Sequence, residues 1–194
     1  MVEAAKDAFW RLGYDGAAVS DLEAATGLSR SSLYQAFGSK RRLFAEALDA
    51  YIEGFIGPLL APLEAPQADG ACVDRFVRHL AAVFTGDGLP ARYGCLWANS
   101  IAARGRHGDA DVDVRAAEYW ERLQNAYANG LRHAALLERA GLIPPEERAG
   151  ILAAATFGGW LTVPIDGRRA VAVCHAMLAE LASWRRPPAN PRRQ

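Results

Sequence analysis

Arg30, Ser31, Ser32, Tyr34 and Gln35 bring a guanidinium, two hydroxyls, a phenol and a carboxamide together on one short segment. Such groups match the hydrogen-bonding needs of base edges and phosphate oxygens, so they point to a nucleic acid rather than to a reaction. Leu33, Ala36 and Phe37 are the apolar residues of the same segment, spaced so that a helix buries them and leaves the polar groups free. A second set follows at once: Ser39, then Lys40, Arg41 and Arg42. Cations on the first turn of a helix meet its partial positive charge, at a cost of a few tenths of a kcal/mol up to about 1. A phosphate at the N-terminal amides reverses that balance, with Lys40 as its clamp.

The elements that must position these groups are short and sharply punctuated. Asp21 to Thr26 reads as a helical run closed by Gly27, after which Leu28 can plug into the core and Ser29 can cap the next helix. Gly38 ends that helix and Ser39 caps another, whose stripe is Leu43, Phe44, Ala47, Leu48 and Tyr51. Two short helices joined by a tight turn and followed by a third make a helix-turn-helix.

Ala4-Ala5 to Phe9, Gly13-Tyr14, Val19 to Asp21, Ala25, Gly27, Leu33-Tyr34, Phe37, Ser39-Lys40 and Leu43-Phe44 together resemble the DNA-binding domain of tetracycline-repressor (TetR)-type transcriptional regulators. The resemblance implies an all-α protein: a three-helix head at 1–48 with a helix-turn-helix, and an all-helical ligand-binding and dimerisation domain at 49–186. A basic tail at 187–194 is expected to be disordered. The resemblance further implies that Arg30, Ser31, Ser32, Tyr34 and Gln35 face the major groove of a double-stranded operator, with Ser39 and Lys40 at its phosphates. Three departures stand out. Ala17-Ala18 replaces the usual Thr or Ser cap of the second helix, Ser20 replaces a frequent basic residue, and Met1 lies almost inside the first helix, where members often carry a basic arm. Ser20 and Glu23 stand at capping-box spacing and could shift the helix start.

Composition bounds the alternatives. The 194 residues are 51% hydrophobic and 23% charged, enough for a sizeable core. No apolar run approaches a membrane span and the start lacks a signal-peptide layout, so a cytoplasmic protein with no membrane partner is expected. Lys plus Arg equals Asp plus Glu at 22 each, which argues against a uniformly basic nucleic-acid binder. Distribution answers this: from Ser29 to Ala45 there are four cations and no acid. A small footprint of that kind calls for a dimer.

Beyond the head the chain reads as helices. The fourth runs to about Ile56, where Gly57-Pro58 interrupts it, and residues 65–70 form a loop. Val73, Phe76, Val77, Leu80, Val83 and Phe84 make a stripe ended by Gly86-Asp87-Gly88; another helix takes in Cys95 to Ala102. A long one spans about Val112 to Ala140, closed by Gly141. Pro144-Pro145-Glu146-Glu147 starts a helix that continues through Trp160, and the last covers Arg168 to Trp184. Ala154, Ala155, Gly158 and Gly159, with Ala170, Val173, Ala176, Met177 and Leu181, are small or apolar enough for a homodimer seam between these last helices, the alternative being packing within one subunit.

For a small-molecule effector, hydrophobic or aromatic, the candidate lining is Phe84, Cys95, Trp97, Asn99, Tyr119, Trp120, Tyr127 and Trp160, to which Phe76 can be added; the alternative for each ring is plain core. Gly94 to Ser100 also resembles a subgroup in which a cysteine senses electrophiles or oxidants. Arg92 and a helix N-terminus would favour a Cys95 thiolate, whereas apolar neighbours favour Cys95 as a packing residue, and packing is the preferred reading. Cys72 and Cys174 have no cation within two positions and read as packing residues. Catalysis finds no support. His79, His107, His133 and His175 form no metal-binding pair, and Asp109 onward lacks the Gly and Glu of a calcium loop, so neither enzyme activity, metal nor cofactor is expected. Two functions of different class remain: a ligand-responsive repressor that binds a palindromic operator as a homodimer, or a small-molecule-binding or protein-interaction protein that has lost DNA binding.

Overall fold

Residues 1–103, 110–132 and 143–184 are described by the computed structural model, and among them there is no β-strand. The head contains α1 (Val2–Gly16), α2 (Val19–Thr26), α3 (Arg30–Phe37) and the start of α4 (Lys40–Tyr51). Ser29 accepts a hydrogen bond from the Ser32 N–H at 3.2 Å and Ser39 accepts one from Arg42 N–H at 3.1 Å, so both serines cap as their sequence positions imply. Gly27 terminates α2 in the left-handed conformation. Phe9, Leu22, Leu33, Phe37, Leu43, Phe44 and Leu48 are buried against one another. Each such side chain contributes about 1.5 to 3 kcal/mol, which is how a segment this short holds its shape.

The start of α2 differs from the capping box expected at Ser20 and Glu23. The helix begins at Val19 behind Ala18, and the Asp21 carboxylate accepts from the Ala18 N–H at 2.8 Å. Alanine has no side-chain acceptor to return the bond, so only half of a box forms. Glu23 is used elsewhere, as described below.

Gly57-Pro58 does not interrupt the fourth helix either. After Tyr51 the backbone widens into one π turn, Ile52–Ile56, in which the Gly57 N–H reaches back to the Ile52 carbonyl, and α5 (Gly57–Glu64) continues without a break. Proline lacks an N–H and clashes with the carbonyl four residues before it, and the wide turn accommodates this. Pro58 and Pro62 face solvent while Ile56, Leu60 and Leu63 are buried.

The body adds α6 (Gly70–Thr85), α7 (Leu89–Tyr93), α8 (Leu96–Ala103), α9 (Ala110–Arg132), α10 (Pro145–Thr162) and α11 (Gly167–Trp184). The short α7 was not evident from sequence. α6 packs on α11, α9 on α5 and α10, and α10 on α11, while α1 rests on both α4 and α8. The expected stripe of α6 is buried at Val73, Phe76, Val77, Leu80 and Phe84. The continuation of α9 to Ala140, its closure at Gly141, His107, His133 and the basic tail lie outside the described residues. No helix among the described residues is long and apolar enough to cross a membrane.

Candidate nucleic-acid interface

The free face of α3 carries the residues expected there. Arg30, Ser31, Tyr34 and Gln35 are exposed and Ser32 is half-buried, while Leu33 and Phe37 point inward; Ala36, expected to be buried with them, is exposed. Tyr34 is a large ring left 40% exposed, and the Arg30 guanidinium lies 5.7 Å from its centroid. The hydroxyls of Ser31 and Ser32 each lie within 3.0 Å of Ser29 Oγ, a cluster whose protons can rotate to a new acceptor. Glu23, whose spacing from Ser20 suggests a capping box, instead accepts from the Arg30 N–H at 2.5 Å and so ties α2 to the first turn of α3. That pairing spans a turn, and no linear spacing rule signals it.

Lys40, Arg41 and Arg42 follow on the first turn of α4. Arg42 pairs with Glu46 at 3.7 Å, whereas the Lys40 ammonium sits 4.5 Å from the Tyr14 ring centroid. Tyr34, Ser39 and Lys40 border one shallow crevice whose floor is Val19, Leu22, Leu33 and Leu43. A hydrophobic base thus holds a hydroxyl, a phenol and an ammonium at the rim of the same surface.

The candidate effector-binding residues fall into several groups rather than one ring wall. Trp97 stacks on Tyr119 at 6.3 Å; Phe84 meets Trp160 edge-on at 4.8 Å; Trp120 meets Phe157 at 6.2 Å. Tyr127 packs against Phe76 and shares a 2.6 Å hydrogen bond with the Thr156 hydroxyl. Asn99 donates to the Tyr93 carbonyl at 2.6 Å, steadying the approach to α8. Trp97 Nε1 is buried without a hydrogen-bond partner among the described residues.

Cys95 is fully buried immediately before α8, where the Tyr51 hydroxyl donates to its sulfur at 3.3 Å and the Ala98 N–H at 3.5 Å. Burial pushes the thiol up from its ordinary value, outweighing these bonds and one from Tyr119, all of which favour the thiolate. Burial likewise raises the Tyr51 and Tyr119 phenols, with the neighbouring Cys95 adding to it. Arg92, expected to assist Cys95, is exposed and is not among the groups that shift the thiol. The cation beside a cysteine is found at Cys72 instead, where Arg75 Nη2 lies 2.8 Å from the sulfur. One helical turn separates the two, a spacing that a search of nearest sequence neighbours does not reach.

Side chains of α1 and α4 reach across to the later helices. Trp10 on α1 donates from Nε1 to the Gly94 carbonyl at 2.8 Å, and its ring meets Tyr51 and Phe55 edge-on. On α4, Asp49 pairs with Arg115 of α9. Among the described residues no group of three or more His, Cys, Asp or Glu could hold a metal ion.

Residues 1–47 match the family of bacterial regulatory proteins described as the tetR family. The chain is 32% identical over 139 residues to YezE of Bacillus subtilis (strain 168), an uncharacterized HTH-type transcriptional regulator, covering 69% of this chain and 68% of that protein. It is 36% identical over 94 residues to the HTH-type transcriptional repressor ComR of Escherichia coli (strain K12), covering 47% of this chain and 43% of that one. A solved structure of a cysteine mutant of the TetR family transcriptional regulator CifR, complexed with 26 bp of double-strand operator DNA, is similar over 92% of this chain and 93% of that one. Its TM-score is 0.68 and its sequence identity 28%.

Proposed function

The chain belongs to the TetR family of bacterial transcriptional regulators, and on that premise we propose that it is a homodimeric repressor released from a palindromic operator by a small effector. The observation that carries the reading is the α3 face: Arg30, Ser31, Tyr34 and Gln35 exposed together, with Lys40 at the adjoining rim. Arg30 and Gln35 are the side chains able to make bidentate contacts, to guanine and adenine respectively, each worth about 1 to 3 kcal/mol of discrimination. Lys40, with the capped N-terminus of α4 behind Ser39, serves a phosphate that fixes the register of α3 in the groove.

In this reading residues 1–48 serve as the head and 49–186 as the body. Two heads must sit about one helical turn of DNA apart, or a multiple of it, which requires a second copy. α10 and α11 supply the surface. Gly159, Ala170, Met177 and Leu181 are buried inside the subunit, but Ala154 and Ala176 are exposed, and Ala155, Gly158 and Val173 are partly so. Ile151, 52% exposed, extends the same apolar side of α10, and Ile165, 86% exposed, stands in the turn between α10 and α11. Small and apolar residues along an exposed helix pair suit a four-helix seam. An apolar effector that favours a body conformation with displaced α8 would pull on Gly94 and Cys95, and through Trp10 and Tyr51 on α1 and α4.

Fluorescence anisotropy tests this, using a labelled duplex recovered by binding selection with the wild-type protein. Tyr34→Ala is expected to lose affinity with an unchanged salt dependence. Lys40→Ala is expected to lose affinity and to lower the salt slope by about 1 for each phosphate contact removed. Wild-type affinity in both variants would favour the reading of a small-molecule or protein-binding protein without a specific DNA site.

A further inference from the structure

We propose that Tyr14 is a positioning residue for DNA binding, its ring holding the Lys40 ammonium over the phosphate site before DNA arrives. The inference rests on the reading of Lys40 as a phosphate contact. Tyr14 follows Gly13, whose backbone leaves the helical conformation (φ 72°, ψ 169°), so the ring stands off the regular face of α1. It is fixed there by two neighbours, Phe9 stacked at 6.3 Å and Phe44 tilted at 5.0 Å. Phe9 and Phe44 are themselves buried and in edge contact at 4.9 Å, so Tyr14 is mounted on the head's core. The Lys40 ammonium lies 4.5 Å from the centre of this ring, within the range of a cation–π contact.

The choice of partner matters. Arg42, two residues on, is exposed and stands 3.7 Å from the Glu46 carboxylate, whose charge opposes its own. Among the described residues no carboxylate pairs with Lys40. An aromatic face restrains an ammonium while leaving its net charge intact for an incoming anion. A lysine side chain otherwise loses much rotamer freedom on docking to phosphate, and prior restraint removes that loss. Lys40 is half-buried where Arg41 and Arg42 are exposed, as expected of a tethered stem. Its neighbours Tyr34 and Ser39 in the same crevice place the ammonium beside the reading helix rather than on a remote flank.

The test is a double-mutant cycle on binding of a labelled duplex recovered by selection, with Tyr14→Phe, Tyr14→Leu, Lys40→Met and the Tyr14→Leu/Lys40→Met pair. Tyr14→Phe keeps the ring face and is expected to bind within about 2-fold of wild type. Tyr14→Leu is expected to bind roughly 5- to 30-fold more weakly, since two heads must each then order the lysine side chain on binding. In the Lys40→Met background the same leucine substitution is expected to change nothing further. Urea unfolding of each variant separates folded protein from the affinity readout. Equal losses from Tyr14→Leu in both backgrounds, or no loss in either, would overturn the Tyr14 proposal while leaving the phosphate contact in place. Wild-type binding by Lys40→Met would overturn the phosphate reading itself, and the Tyr14 role with it.

Discussion

Substituting Gly94 by alanine should be among the most damaging single-methyl additions available to this protein. Gly94 has φ 71° and ψ −152°, a region open almost only to glycine. An added Cβ would stand 2.4 Å from the Trp160 carbonyl oxygen and 3.1 Å from Pro164 Cγ. Neither neighbour is the free end of a flexible side chain, so the turn or the end of α10 must move. Gly13 supplies the control. It has a similar backbone (φ 72°, ψ 169°), but a Cβ there meets nothing within 4 Å. Both variants bear strain of about 1 to 3 kcal/mol, offset slightly by reduced freedom in the unfolded chain. Only Gly94→Ala adds overpacking of about 1 to 3 kcal/mol and, by displacing its own carbonyl, weakens the buried bond from Trp10, worth about 1 more. The expected losses are therefore about 0.5 to 2.5 kcal/mol for Gly13→Ala and about 2.5 to 6.5 for Gly94→Ala. Urea unfolding followed by circular dichroism measures both. Losses that agree within about 0.5 kcal/mol would show that the approach of Gly94 to α10 is not a packing constraint.

Other outcomes follow from the same geometry. Burial raises the Cys174 thiol from 9.0 to about 11, so the unfolded chain releases this proton first and stability falls as pH rises from 9 toward 11. The loss attributable to Cys174 is roughly 2 to 3 kcal/mol, to which the raised Tyr51, Tyr119 and Tyr127 phenols add above about pH 10. Urea titrations near pH 8 and pH 10.5 check this, and a Cys174→Ala variant whose alkaline loss equals wild type's would contradict the assignment. Iodoacetamide on the native protein at neutral pH should label half-buried Cys72 first, with Cys95 and Cys174 protected until unfolding; mass spectrometry showing a fast adduct at Cys95 would refute its role as a packing residue. Gly158→Arg adds a side chain where a Cβ meets nothing within 4 Å among the described residues, so it should leave helicity intact while yielding a monomer with weakened operator binding. A Gly158→Arg protein that still scatters light as a dimer would move the proposed seam away from this face.

Much of the head was legible because its signals are local. Gly27, Ser29, Gly38 and Ser39 each act on the backbone within a turn of themselves, and the stripes of α3 and α4 follow helical periodicity. What could not be read joins distant parts of the chain. Trp10 and Gly94 are 84 residues apart, and Tyr51 and Cys95 are 44 apart. Neither partner carries a local mark of the other. The aromatic residues of the body show a related limit: their spacing identifies buried helical faces, but whether two rings meet depends on how α6, α8, α9 and α10 pack. At Cys72 the cation lies one helical turn ahead, beyond the nearest neighbours in sequence, whereas the side chains that meet Cys95 come from distant Tyr51 and Tyr119. The π turn was hidden for another reason. Gly57-Pro58 carries the ordinary signature of a break, and the alternative of widening the helix depends on what Ile56, Leu60 and Leu63 must bury.

That widened turn also sets an arithmetic for the rod formed by α4 and α5. Counting in ordinary helical steps from Phe44, Ala47, Leu48 and Tyr51, the inward line would continue through 54 or 55, 58 and 62, which would turn both prolines toward the core. The residues actually buried are Ile56, Leu60 and Leu63, one or two places later. The rod thus holds one residue more than its pitch requires, stored in a single loop of backbone between head and body. Removing a residue from this stretch would release the surplus and leave the faces on either side aligned. The same removal elsewhere in α4 would rotate everything beyond it by about 100°. Length variation in this helix therefore has one permissive place, and it lies at the joint between the two halves of the molecule.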